Sequence, residues 1–308
     1  MPKLESRVVI LGAAGMLGHA LTEIFPKATF LDFRNSGEIG FADVTSLDNL
    51  RTRLKDLKHG DCVINASAYT DVDGAETEKG SRLSYDLSVT GPQNLAVLAV
   101  EQGFKVVHYS TAFVFDGKTG HYKESDIPNP LNNYGAHKLA GEKPILDVGG
   151  IVLRTDVLYG PNGSKSFVDA IVRQLAGNPL EVEVVNDQIG SPTFTHDLAL
   201  MTDAMINRMS ASGVYHAVNE GAVSRAEMAR QIIKILGLRC SVREISTNEY
   251  NENKRRGVPT AVRPNDCSLE LARLHDAWYK PRSWDVALAD YIHRHVGTPS
   301  SMSSAQMH

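Results

Sequence analysis

Short apolar runs alternate with helix-like stretches through the first half of this 308-residue chain, and that alternation constrains the fold more than any composition figure. The runs are RVVILG (7–12), ATFLD (28–32), DCVINAS (61–67), KVVHYST (105–111) and GIVLRT (150–155). Each has the length and β-branched content of a strand buried on both faces. Between them, SLDNLRTRLKDL begins at a capping serine, Ser46, and stacks Leu47, Leu50, Leu54 and Leu57 on one stripe. GPQNLAVLAVEQG opens with a proline and stops at Gly103. Strand and helix in this rhythm predict an α/β fold with a doubly wound parallel sheet.

After about Thr155 the rhythm loosens. SFVDAIVRQLAGNP reads as a helix closed by glycine, LEVEVV as a strand, and SRAEMARQIIKILG as a helix with a Ser224/Glu227 capping box. This stretch suits a smaller lobe. The expected division is a Rossmann-type unit over 1–155, a second, interleaved lobe over 156–296 with some segments returning to the first sheet, and a disordered polar tail over 297–308.

Composition excludes several classes of function. The net charge of −4 arises from 32 basic and 36 acidic residues spread along the chain, which leaves no basic footprint for nucleic acid or an anionic membrane. Cys62, Cys240 and Cys267 are far apart and odd in number, which speaks against a disulfide framework and for a reducing compartment. Cys62 lies in an apolar run and is expected in the core. No run approaches the ~18 apolar residues of a membrane span, and the start MPKLESR does not resemble a signal peptide. A cytoplasmic location is expected. His293 and His295 are two apart on an expected helix and point to different faces, so they make no metal site.

The first chemical motif is ILGAAGMLGHAL. Gly12, Gly15 and Gly18 follow the first strand and open a helix, with Met16 and Leu17 in its first turn. Such a loop lets backbone amides and the positive helix end approach a pyrophosphate. Asp32 ends the next strand, 20 residues after Gly12, where an acid can accept hydrogen bonds from ribose hydroxyls; the alternative is a turn residue at a strand end. Arg34 and Asn35 lie nearby, and an arginine there can accommodate a 2′-phosphate, so NADH and NADPH both stay open. Further cofactor contacts are expected at the carboxyl ends of later strands: Asp43 and Val44, then Ala68, Tyr69 and Thr70 within NASAYT, and Tyr109 beside the next strand end.

The second motif is NNYGAHKLAGE, which puts Tyr134 four residues before Lys138 on one helix face. A lysine cation beside a phenol favours the phenolate and so brings proton exchange closer to neutral pH. Alone, the pair also reads as ordinary surface. Ser110 and Thr111 emerge at the strand end before this helix, where their hydroxyls can bond a substrate carbonyl or serve a loop. A glycine loop, a ribose acid, a strand-end threonine and a Tyr/Lys pair, in this order, point to hydride transfer.

These stretches resemble those of an extended short-chain dehydrogenase/reductase, and within that superfamily the dTDP-4-dehydrorhamnose reductase family. GAAGMLG, VINASAYTDVDGAE, HYSTAFVFDG, PLNNYGAHKLAGE, LRTDVLYG and VVNDQIGSPT carry the resemblance, with VRPNDCSL a weaker late match. It implies reduction of a nucleotide-linked 4-keto-6-deoxy sugar by NADPH or NADH, with Thr111, Tyr134 and Lys138 as the catalytic set. Tyr134 would protonate the carbonyl oxygen, Lys138 would hold the nicotinamide ribose and tune Tyr134, and Thr111 would polarise the carbonyl. The resemblance also admits a homodimer.

Departures from the pattern fall on the substrate side. The family often has STDYVF where this chain has Ala112 and Phe113, and a tryptophan where this chain has Val157. Both changes point to an altered sugar preference. Some members hold Mg²⁺ through an acid just after the glycine loop, where this chain has His19-Ala20, so no metal is carried over. DQIGSPT (187–193) resembles the substrate-side loop, and Arg263 either meets a diphosphate or is a structural arginine. The alternative function is a non-catalytic nucleotide-binding subunit, like the reductase relative that regulates methionine adenosyltransferase.

Overall fold

The computed structural model describes residues 6–34, 37–163, 166–207, 212–255, 257–276 and 279–296. Asn35 and the expected tail over 297–308 lie outside the described residues. In chain order, the first part runs β1 (Val8–Leu11), α1 (Met16–Ile24), β2 (Thr29–Asp32), β3 (Gly40–Phe41), α2 (Leu47–Leu54), β4 (Cys62–Asn65), α3 (Glu78–Tyr85), α4 (Gly91–Gln102), β5 (Lys105–Thr111), α5 (Asn133–Asp147) and β6 (Ile151–Thr155). The second runs β7 (Leu158–Tyr159), α6 (Phe167–Leu175), β8 (Glu181–Val185), β9 (Ile189–Gly190), β10 (Thr193–Phe194), α7 (Thr195–Ile206), β11 (Gly213–His216), β12 (Val223–Ser224), α8 (Arg225–Leu236), β13 (Ser241–Ile245), α9 (Thr247–Lys254), α10 (Ala272–Asp276) and α11 (Trp284–Tyr291).

The apolar runs become the parallel sheet that their composition predicts. Its order is β11-β6-β5-β4-β1-β2-β3, and every pair in it is parallel. Strands β4 and β6 are buried at every residue, because helices cover both faces. Chain order reverses beside β1, and the crevice of an open α/β sheet opens at the carboxyl ends of strands flanking such a reversal.

The expected caps are present. Ser46 accepts from the Asn49 amide at 3.3 Å, and Gly103 closes α4 at φ +80°. Ser224 accepts from the Glu227 amide at 3.2 Å, while the Glu227 carboxylate pairs with Arg230.

The second lobe is not contiguous. Helix α7 packs on α1, and β11 joins the edge of the sheet beside β6, so these two elements return to the first unit. A separate apolar core forms around Tyr159, Phe194, Ile232 and Leu288, and β8 pairs with β13 in a small parallel sheet. Among the described residues, no helix is long and apolar enough to cross a membrane.

Candidate active site

The glycine loop is shaped by close backbone packing. Gly12 ends β1 at φ +82°, a conformation that L side chains rarely adopt, and a Cβ there would sit 2.6 Å from the Ala66 carbonyl carbon. A Cβ on Gly18 would meet the Gly12 carbonyl oxygen at 2.1 Å, so α1 can dock against the strand end only with glycine at that position. Gly15 is the N-cap of α1 and brings no side chain to it. The first-turn amides around Met16 and Leu17 are thereby left for an anionic ligand. Leu17 itself is 8% exposed, so its contribution is through the backbone.

Asp32 stands beside this loop and is 8% exposed. Its carboxylate accepts from the Ala14 amide at 3.0 Å and the Arg34 amide at 2.8 Å, which fixes it at the end of β2. The Arg34 side chain is 75% exposed at the rim, with Nε 3.8 Å from Asp32. Loop, helix end and acid together fit the pyrophosphate and adenosine ribose of a dinucleotide.

The remaining expected cofactor residues divide. Asp43 is tied to Thr45 through both its amide and hydroxyl, at 2.9 and 2.7 Å, and Val44 is buried with its carbonyl held by Asn94 at 3.0 Å. Ala68 and Thr70 are exposed on the loop leaving β4, and Tyr69 is partly buried there. Tyr109 is different: its side chain points into the core and shares a 2.6 Å hydrogen bond with Thr202 on α7. Its backbone carbonyl accepts from Lys138 Nζ at 2.5 Å.

Helix α5 carries the Tyr/Lys pair and is anchored at its start. Asn132 caps it, accepting from the Gly135 amide at 2.8 Å, while Asn133 bonds Glu76 and Ala75. This places Tyr134 beside the Thr111 side chain at the end of β5. Burial raises the Tyr134 pKa, the Thr111 hydroxyl opposes that, and the charge of Asp156 adds to it. The sequence expectation that Lys138 brings the phenol toward neutral is therefore corrected: Lys138 spends its ammonium on the Tyr109 carbonyl, and burial governs Tyr134. Lys138 is 2% exposed, and burial lowers its pKa to about 8 against the opposing charge of Glu142.

Ser110 does not face the cleft. It donates to Glu142 at 2.5 Å, and Glu142 in turn holds Arg154 behind the strand.

The substrate-side residues are also rearranged from expectation. Ala112 is fully buried among apolar side chains, so it presents no surface to a sugar. Val157 does line a crevice, together with Phe113, Asp156, Gln188, Ile189, Gly190, Arg225, Pro264 and Cys267. Phe113 packs edge-on against Tyr134 with ring centroids 6.2 Å apart, which sets this crevice next to Tyr134. Arg263 gives both terminal nitrogens to Asp73 at 2.8 Å, and Arg255 joins the same carboxylate. Its charge is thus matched inside the protein.

Sequence reading did not single out Asp73, Glu142, Asp156 or Arg225. Three of them act through partners distant in sequence or packed on other elements, which no local pattern reveals. Arg225 did leave a signal: it is the first residue of α8, and a cation at a helix N-terminus opposes the macrodipole.

The chain matches the family model described as "RmlD substrate binding domain" over residues 6–296. It is 36% identical to dTDP-4-dehydrorhamnose reductase of Mycobacterium tuberculosis (strain CDC 1551 / Oshkosh), over 92% of each chain. It is 34% identical to dTDP-4-keto-6-deoxy-D-glucose reductase of Streptomyces niveus, covering 92% of this chain and 96% of that one. Among solved structures, that of dTDP-4-dehydrorhamnose reductase from Bacillus anthracis in complex with NADP superposes with a TM-score of 0.80 at 31% identity, covering 94% of this chain and 99% of the other. Sequence and architecture agree over nearly the whole length, and the chain belongs to the RmlD family of the dTDP-4-dehydrorhamnose reductases.

Proposed function

We propose that this protein reduces the carbonyl of a nucleotide-linked 4-keto-6-deoxy sugar with NADPH or NADH. The observation that carries the proposal is the glycine loop shaped for a pyrophosphate, with Lys138 held on the Tyr109 carbonyl of β5 and Tyr134 beside Thr111 at the end of the same strand. The names of the relatives and the NADP bound in the Bacillus anthracis structure support it.

In this reading the loop amides and Asp32 hold the dinucleotide, whose nicotinamide supplies hydride when bound. Tyr134 donates its phenolic proton to the carbonyl oxygen as the alcohol forms. Its raised pKa keeps the proton on the ring through neutral pH, as an acid in a reduction requires. Thr111, beside the same phenol, would share the developing charge on the oxygen. Lys138 holds the nicotinamide ribose while its second contact, the Tyr109 carbonyl, fixes its reach.

The presence of all three groups favours turnover over the binding-only alternative, which needs none of them. The test is oxidation of NADPH and NADH by the purified protein with a panel of dTDP- and UDP-linked 4-keto-6-deoxy sugars. Substrate-dependent oxidation supports the reading. Binding of cofactor without turnover of any panel member, with a partner enzyme retained through purification, would support the binding-only alternative.

A further inference from the structure

Arg225 combines three features that each cost free energy. It is a cation at the first position of α8, where the helix dipole is unfavourable. Its Nη1 is buried and has no hydrogen-bond partner among the described residues. It also stands near a like charge, Arg263. The guanidinium is steadied from one side by the Phe167 ring, 5.0 Å from its centroid. An orphaned donor of this kind calls for an acceptor that the chain does not supply.

Across the same crevice lies Asp156, 6% exposed. It accepts from the Ser191 amide at 2.9 Å and attracts Arg225 electrostatically without a hydrogen bond to it. Burial raises its pKa to about 6 even so. The next residue, Val157, sits at φ +41°, an outlier for a β-branched side chain, and such strain persists where the surroundings impose it at a site. Gly190 makes room: a Cβ there would fall 2.3 Å from the Asp156 carboxylate. The space between is narrow, with room for about one water or one hydroxyl group.

We infer that Asp156 and Arg225 form a clamp for one hydroxyl of the substrate's sugar ring, Arg225 Nη1 donating to its oxygen and Asp156 accepting its proton. A hydroxyl suits both walls at once, since it is donor and acceptor together. An anionic group would suit Arg225 but be repelled by the Asp156 carboxylate. The clamp lies beside Tyr134 through Phe113, so it holds the ring close to the carbonyl that reacts. It supplies the polar sugar contact that the buried Ala112 does not, and makes this pair a specificity determinant. The inference rests on the sugar reductase reading and concerns which part of the sugar this chain grips.

Binding of unreactive ligands tests it apart from turnover. Titration calorimetry in the presence of NADPH, which accepts no hydride from a 4-hydroxy sugar, would compare dTDP- and UDP-linked 6-deoxyhexoses with free dTDP and UDP, on wild type, Asp156→Asn and Arg225→Met. The expected result is that Arg225→Met loses about tenfold or more in affinity for the nucleotide sugar while free nucleotide binds unchanged, with a smaller loss for Asp156→Asn. A ring analogue deoxygenated at the clamped position should bind Arg225→Met and wild type equally. Each variant carries its own control, since intact nucleotide binding shows that it is folded; a variant that loses it is replaced by Arg225→Gln. Equal losses for sugar nucleotide and free nucleotide would make Arg225 a phosphate contact and overturn the clamp. So would unchanged affinities in Arg225→Met, or a wild type that binds no member of the panel more tightly than its free nucleotide. Absence of keto-sugar turnover, by contrast, would strike the reductase reading itself.

Discussion

Glu142 and Arg154 form a two-pronged ion pair behind β5, with bonds of 2.8 and 2.9 Å and both side chains 4% exposed. Glu142 lies one helical turn beyond Lys138 on α5 and also receives the Ser110 hydroxyl, so a single carboxylate ties helix to strands β5 and β6. Its charge also opposes the desolvation of the Lys138 ammonium.

Glu142→Gln should therefore act on both stability and titration. Removing one partner of a buried pair leaves Arg154 uncompensated, a loss of about 3 kcal/mol by urea denaturation. Lys138, already lowered to about 8 by burial, should lose its proton at still lower pH. NADPH affinity of the free wild-type enzyme should weaken as pH rises through about 8, and in the variant the decline should begin nearer neutral. An unchanged pH dependence would separate Glu142 from Lys138.

Tyr134→Phe should lower kcat by roughly a hundredfold or more while leaving cofactor affinity intact, since only the proton donor is removed. Lys138→Ala should damage both. Steady-state kinetics with direct cofactor titration distinguish the two, and a Tyr134→Phe enzyme that reduces substrate at the wild-type rate would end its role as donor.

Asp32→Ala should weaken NADH binding by removing a ribose acceptor and releasing the Ala14 and Arg34 amides that it holds. Arg34→Ala should instead raise the NADPH Kd while sparing NADH if the guanidinium, 75% exposed beside Asp32, meets a 2′-phosphate. Fluorescence titrations of both cofactors against both variants check this; equal responses to Arg34→Ala would remove it from phosphate recognition.

Asp73→Asn should loosen the 261–263 segment that holds the cap of α5. Burial alone would raise the Asp73 carboxyl, but Arg263, the Ala261 amide and Arg255 hold it down to about 2. The Ala261–Arg263 segment that it secures also bonds Asn132, the cap of α5. A folded pKa below the unfolded value of about 3.9 means that the contribution is complete above that pH and is lost as pH falls toward about 2. The substitution should cost about 1 to 3 kcal/mol at neutral pH, and the gap from wild type should narrow on acidification. Urea midpoints measured along a pH series give the comparison.

The sequence by itself determined the parallel sheet and the glycine loop that follows its first strand, and it placed Asp32 at a strand end and Tyr134 and Lys138 on one helix, because each is written in local terms. Strand hydrophobicity, the need for glycine at Gly12 and the four-residue spacing on one helix face depend on neighbours in the chain. Tertiary structure decided what those residues meet. The phenol of Tyr134 titrates high because packing desolvates it, Tyr109 turns its side chain to Thr202, and Ala112 is sealed into the core. Arg263 is claimed by a carboxylate 190 positions away, and Asp156 meets Arg225 only because β9 and α8 close the crevice. Burial and charge pairing between distant segments are properties of the assembled fold, and no pattern along the chain encodes which of two available partners a side chain will face.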